Sequence, residues 1–191
     1  LTFKGVSAEI QLPVEIPALT YGDEVDGLGF ISNNTKDALA YSFSKEGVLE
    51  VGEDGKVRAV GAGEVVVTAS QPGSDDFTPA ESEPMTLTVA KAPLNVSLAD
   101  DAWTWRGIAV STSNMDKGKC HYTFVYDGWK WNDAEKDASE VLSKLPTVSA
   151  SAPKDAEAVG SERAAKLSGG AAENYDLKFA EDAKFKVVKN K

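Results

Sequence analysis

The chain holds one cysteine and one histidine among 191 residues. An intramolecular disulfide is therefore excluded, and cysteine usage does not report the compartment. A closed zinc site within one chain is excluded as well, because such sites draw on several His and Cys ligands. No apolar run approaches the ~18 residues of a membrane-spanning helix, so no membrane insertion is expected of this segment. Positive charge is short too: 20 Lys and Arg stand against 30 Asp and Glu, a net charge of −10. No dense Lys/Arg cluster overrides that sign, so nucleic acid and anionic membrane surfaces are not expected partners. No secretion signal is visible and the chain begins abruptly at Leu1-Thr2-Phe3, which leads us to expect a piece of a longer protein.

Catalytic constellations are missing in the same way. Nucleophilic catalysis needs a base beside its nucleophile, but Cys120 and His121 are adjacent, and strand neighbours point to opposite faces. Cys120 is expected to pack as a small buried residue and His121 to sit on a strand surface. There is no Gly-x-Ser-x-Gly elbow. Acidic residues are many, but no pair is singled out by an apolar setting that would raise a pKa. The expectation is a protein that is not an enzyme and needs no cofactor. Oxygen ligation of calcium is left open at Asp23-Glu24 with Asp26, at Asp75-Asp76 and at Asp100-Asp101. None of these has the Asp-x-Asp-x-Asp-Gly spacing, and solvated turn carboxylates are the plainer reading. Asn33-Asn34-Thr35 and Asn95-Val96-Ser97 match a glycosylation triplet, a pattern frequent by chance, and they are set aside.

What is present is period-two patterning. Ser7–Leu12 places Ala8, Ile10 and Leu12 on one face, and Leu39–Ser44 does the same with Leu39, Tyr41 and Phe43. Two short strands, Val48–Val51 and Lys56–Val60, flank Gly52-Glu53-Asp54-Gly55, whose last glycine can supply the positive φ of a tight hairpin. Gly61-Ala62-Gly63 reads as a bend or bulge before Glu64–Ser70, a strand with Val65, Val67 and Ala69 inward, closed by Gln71-Pro72-Gly73. Pro84–Val89 follows, with Met85, Leu87 and Val89 on one face. Ala90-Lys91-Ala92-Pro93 is the expected boundary, because proline fixes its own φ and restricts the residue before it. Two modules end to end, 1–91 and 92–191, joined by a stiff connection, suit a β-sandwich unit of about 100 residues.

In the second half Leu94, Val96 and Leu98 share a face, and Cys120–Tyr126 aligns Cys120, Tyr122, Phe124 and Tyr126. Pro146–Ala150, Glu162–Ser168, Tyr175–Phe179 and Lys184–Val188 are further strands. Asp137-Ala138-Ser139-Glu140 has capping-box spacing ahead of Val141, Leu142 and Leu145, which predicts one short helix over about 133–144. The fold class is thus all-β, two tandem Ig-like β-sandwich modules, the second with one short helix. The halves do not repeat one another.

The first half resembles the bacterial Ig-like domains of the group-2, intimin/invasin-like kind. The resemblance covers about residues 8–91. It is carried by Leu19-Thr20-Tyr21-Gly22-Asp23, Val48–Val51, Asp54–Val57, Ala59–Gly63, Val65–Ala69, Gln71–Gly73, Phe77, Ala80 and Leu87–Val89. The second half resembles the MBG (YGX-type) repeats of bacterial surface proteins. Its matching residues are Ala92–Val96, Tyr126–Trp129, Val141-Leu142, Pro146–Ser149, Ser168–Gly170 and Glu173–Tyr175. Where that family carries a Tyr-Gly-Asp-like turn, this chain has Trp105-Arg106-Gly107, and Ile108–Lys119 aligns with nothing. Both resemblances imply a non-enzymatic, extracellular, cell-surface spacer or adhesin stalk, working as a monomer. Fold resemblance supplies no ligand.

All four tryptophans, Trp103, Trp105, Trp129 and Trp131, fall in the second half, in two pairs at i, i+2. An extended backbone puts each pair on one face, and a flat aromatic face can stack on a sugar ring. Large aromatics more often fill cores. The second resemblance implies core positions for Trp105 and Trp129, where the family has aromatics. It leaves Trp103 and Trp131, at usually polar positions, as the candidate ligand-binding residues, with a glycan or host surface protein as partner. Two functions from different classes follow: a structural adhesin-stalk segment, or a binding module, in one version accessory to a secreted polysaccharide-degrading enzyme.

Overall fold

The computed structural model describes residues 5–153 and 159–190. Its contacts divide the chain between Lys91 and Ala92 into two compact units. The protein is all-β.

The first unit holds ten strands: β1 (Ile10–Gln11), β2 (Leu19–Thr20), β3 (Glu24–Val25), β4 (Ile31–Ser32), β5 (Ala40–Phe43), β6 (Leu49–Val51), β7 (Val57–Ala59), β8 (Gly63–Gln71), β9 (Ala80–Glu81) and β10 (Met85–Ala90). Five of them form a sheet in the order β2-β10-β8-β5, with β9 also on β8. A second sheet runs β3-β7-β6, and β1 pairs β4. Alternation decides which side is dry. Val65, Val67 and Ala69 of β8 meet Met85, Leu87 and Val89 of β10 in one core with Leu49, Val57 and Ala59 of the smaller sheet, a sandwich-like arrangement. The hairpin at Gly52–Gly55 closes as its sequence demands, with Gly55 at φ 79°. At Gly61 the backbone N–H groups of Val60 and Gly61 both donate to the Val48 carbonyl, at 2.9 and 3.2 Å, a two-against-one irregularity of the bulge kind. The N-terminal stretch is less regular than its alternation implies: β1 spans two residues and Leu12 is exposed rather than inward.

A buried amide does what no hydrophobic pattern announces. Gln71 ends β8 almost wholly buried. Its Nε2 donates to the carbonyls of Asn34 and Asp37 at 3.0 and 2.5 Å, and its Oε1 accepts from Ser32 Oγ at 2.5 Å. These bonds tie the loop after β4 to the main sheet and satisfy polar groups that burial would otherwise penalise.

The second unit contains β11 (Ala92–Leu98), β12 (Trp103–Trp105), β13 (Cys120–His121), β14 (Phe124–Asp127), β15 (Leu142–Ser149), β16 (Glu162–Ala164), β17 (Lys166–Ala172), β18 (Tyr175–Phe179) and β19 (Lys184–Val188). Sheets run β14-β11-β18, β13-β12-β19-β16 and β15-β17. Cys120, Tyr122, Val148, Leu167 and Phe185 form the centre of the core, with Phe124 and Phe179 packed against it. Lys91 alone separates β10 from β11, and Pro93 lies inside β11.

Two segments expected as single strands are divided. The alternation through Cys120–Tyr126 is real, but β13 pairs β12 and β14 pairs β11, with the change of sheet at Tyr122-Thr123. Glu162–Ser168 likewise changes sheet at Ala165, from β19 to β15. The helix is also shorter than predicted. A 3-10 turn at Asp133–Glu135 precedes α2 (Ala138–Val141), and Leu142 already pairs Ala172 in β15. Strand pairing from Leu142 onward takes over from the helix, and Pro146 keeps Leu145, the residue before it, out of helical conformation. The capping box itself forms: Asp137 Oδ1 accepts from Ser139 N at 2.9 Å, and Glu140 Oε2 accepts from Asp137 N at 2.9 Å. A second helix, α1 (Thr112–Asp116), capped by Ser111, occupies the unaligned stretch, so the single helix expected of this unit is corrected to two among the described residues.

Candidate ligand-binding surface

Strand β12 reverses the usual alternation. Its middle residue, Thr104, is fully buried, while Trp103 and Trp105 are half-buried on the opposite side. Thr104 can occupy the interior because its Oγ1 donates to the Ile108 carbonyl at 2.9 Å. The core therefore takes the polar residue and the outer face takes both indoles. Trp105, expected inside from the family pattern, is corrected to this outer face.

Register assembles the rest of that face. Trp103 pairs His121 on β13 and Lys186 on β19, and Lys186 pairs Glu162 on β16. The inward partners in the same strands, Cys120, Phe185 and Val187, are buried, so His121, Lys186 and Glu162 point outward with Trp103. Indole and imidazole planes lie 26° apart with centroids 6.4 Å apart. Asp101 Oδ2 holds His121 Nε2 at 3.2 Å. In the next row Trp105 pairs Val188, and its N–H donates to the Lys119 carbonyl at 3.0 Å. Cys120 faces the other way, its Sγ 3.5 Å from the Ser111 carbonyl, so thiol and imidazole lie on opposite faces of β13.

The second tryptophan pair is not extended. Trp129 and Trp131 follow β14 in a turn, and Trp131 is the one non-glycine residue with positive φ, 52°, among the described residues. Bulky side chains rarely adopt that region. A buried polar network holds the turn. Tyr175 O–H donates to Asp133 Oδ2 at 2.8 Å and accepts from the Lys130 N–H at 2.8 Å, while Lys136 Nζ donates to Asp133 Oδ1 at 2.8 Å. Asp133 and Tyr175 are nearly inaccessible, and Trp131 is 43% exposed. Trp129 packs edge-on to Tyr175 and tilted against Tyr126. Burial, with Asp137 nearby, pushes the Tyr126 phenol above its ordinary pKa. The two candidate residues thus sit on different elements: Trp103 in the β12 sheet, Trp131 in the turn after β14.

Four of the carboxylates considered for calcium, Asp23, Glu24, Asp76 and Asp101, are engaged locally. Asp23 accepts from Thr20 N–H at 2.7 Å. Glu24 bridges Lys56 and Arg58 at 2.9 and 2.7 Å, and those cations hold its carboxyl below the ordinary value. Asp76 pairs with Lys36 and Asp101 with His121. No cluster of three potential ligands forms among the described residues. Asn33, from the triplet set aside, clips the N-terminal stretch, accepting from Glu9 N–H at 2.9 Å and donating to the Ser7 carbonyl at 3.0 Å. No family model and no curated protein matches the chain.

Proposed function

We propose that this chain is a load-bearing, non-enzymatic segment of a bacterial cell-surface protein, built of two Ig-like modules in series and positioned outside the cell. The observation that supports it is strand direction. Antiparallel pairs dominate both units, yet in each the early strands run parallel to the late ones. In the first unit β2 pairs β10 in parallel, Leu19 with Val89 and Thr20 with Ala90. In the second β11 pairs β18 from Ala92 with Tyr175 to Val96 with Phe179, and β12 pairs β19 from Trp103 with Lys186 to Trp105 with Val188.

Tension applied at the two ends of such a unit pulls parallel neighbours in opposite directions along their length. The hydrogen bonds then bear load together instead of opening one after another. Forced unfolding is governed by the barrier to opening, and a sheared ladder raises it. The quoted motifs that resemble surface-protein modules point the same way.

Stretching single molecules held at both ends tests the reading. Two force peaks are expected, each releasing about 30 nm of chain at ~3.6 Å per residue. The first unit, with two register pairs in its parallel clamp, should yield before the second, with five between β11 and β18. Extension at low force without discrete peaks would remove the load-bearing role.

A further inference from the structure

A separate role is carried by the outer face of the β13-β12-β19-β16 sheet. Neither Trp103 nor Trp105 belongs to the core or packs against it; both are half-buried on the outer face, where a contiguous aromatic surface can serve as an interaction site. The two indoles share a face two residues apart, roughly 7 Å along the strand. His121 continues that surface sideways, its ring nearly parallel to Trp103.

Charge selects the occupant. Of the acidic groups on this face, Asp101 is occupied by His121 at 3.2 Å and Glu162 faces Lys184 at 3.6 Å. Lys186 flanks Trp103 on one side, and Lys119 flanks Trp105 on the other. Neither lysine forms an ion pair among the described residues: Glu162 is the register neighbour of Lys186, but its carboxylate is turned to Lys184. In a chain of net charge −10, this aromatic strip is thus flanked by two lysine positions that form no ion pair among the described residues. Rings stack on indoles through their apolar faces, while ammonium groups form charge-assisted hydrogen bonds with carboxylates.

We propose that this face binds a hexuronate polysaccharide, its sugar rings stacked on Trp103 and Trp105 and its carboxylates met by Lys119 and Lys186. A neutral glycan would use the indoles but leave the lysines without a partner. A free anion would use the lysines but not the indoles.

The test is titration calorimetry of the whole chain with hexasaccharides of mannuronate, galacturonate and glucuronate, beside neutral β-1,4-mannohexaose. At least one uronate should bind, at least tenfold more tightly than the neutral sugar and more weakly as salt rises. Trp103→Ala with Trp105→Ala should lower that affinity at least tenfold. Lys119→Glu with Lys186→Glu, confined to side chains outside the core, should abolish it while the thermal transition stays in place. Absence of binding by all three uronates at millimolar concentration overturns the proposal. So does equal binding of the neutral sugar, or undiminished binding by either folded double variant.

Discussion

The buried pair of Tyr175 and Asp133 offers the sharpest check on the energetics of the tryptophan-bearing turn. Tyr175→Phe keeps the ring, and with it the edge-on contact to Trp129, and deletes one oxygen. That oxygen serves two partners, Asp133 Oδ2 and the Lys130 N–H, each at 2.8 Å. A hydrogen bond to a charged acceptor is worth about 1.5–3 kcal/mol and one to a backbone donor about 0.5–1.5 kcal/mol. Neither site is open to water, so a loss of about 2–4 kcal/mol is expected. Asp133→Ala removes the same bond from the other side. Lys136, another of its partners, is 42% exposed and can turn to solvent, so that part of the loss is small. In the double variant the shared bond is lost only once, and a coupling of about 1–2 kcal/mol should appear. Urea unfolding followed by tryptophan emission reads this unit alone, because all four indoles lie beyond residue 91. A coupling below about 0.5 kcal/mol would show that the network is geometric without being energetic, and the account of why Trp131 is held would fail with it.

Two further perturbations separate steric from electrostatic contributions in the first unit. A Cβ at Gly61 would lie 2.0 Å from the Gly47 carbonyl oxygen, whereas one at Gly55 meets nothing within 4 Å. Gly55→Ala should therefore cost only the ~1 kcal/mol of its left-handed backbone, and Gly61→Ala at least twice that, as read by far-UV dichroism in urea. Glu24 carries a carboxyl lowered by hydrogen bonds from Lys56 and then Arg58. Its contribution is present above the unfolded glutamate value near 4.5 and is lost as the pH falls through the lowered folded value. Glu24→Gln should flatten that part of the acid limb of a stability profile; an unchanged limb would mean that screening leaves the exposed network without effect.

Much of this architecture is legible in period two. β8, β10, β11, β18 and β19 fall where the sequence pattern puts them; the inward residues named for β8 and β10 are buried, as are Leu94 and Val96 of β11, while Leu98 is half-buried. Alternation fixes the face of a strand but is silent about its neighbour. That is why Cys120–Tyr126 and Glu162–Ser168 read as unbroken strands: each crosses from one sheet to another without losing its inward side. Strands of two residues, such as β1, β3, β4 and β9, are too short to show a period at all. The anchors of the loops, Gln71, Asn34 and Asp133, are polar and buried, and no hydrophobic pattern can mark them. For β12 the pattern misleads. The family pattern puts Trp105 inside, whereas the protein buries Thr104 and keeps both indoles on the outer face. Conflict between local preference and global placement of this kind is where function is expected to override stability.

The load path and the proposed sugar face share one strand. Trp103 and Lys186 are register partners across the parallel β12·β19 ladder, the pair of strands that tension would slide past one another. A polysaccharide stacked on Trp103 and held by Lys186 would span that ladder from outside. Binding to the folded state alone would stabilise it by about 2.7 kcal/mol at a hundredfold excess over Kd, and the share of that lost as the ladder shears would add to the barrier. The second force peak should then rise in saturating hexuronate while the first stays put, and Lys186→Glu should remove the rise without lowering the unliganded peak. If both peaks are indifferent to the ligand although it binds, the sugar must sit away from the sheared strands, and binding and load-bearing are independent properties of the same module.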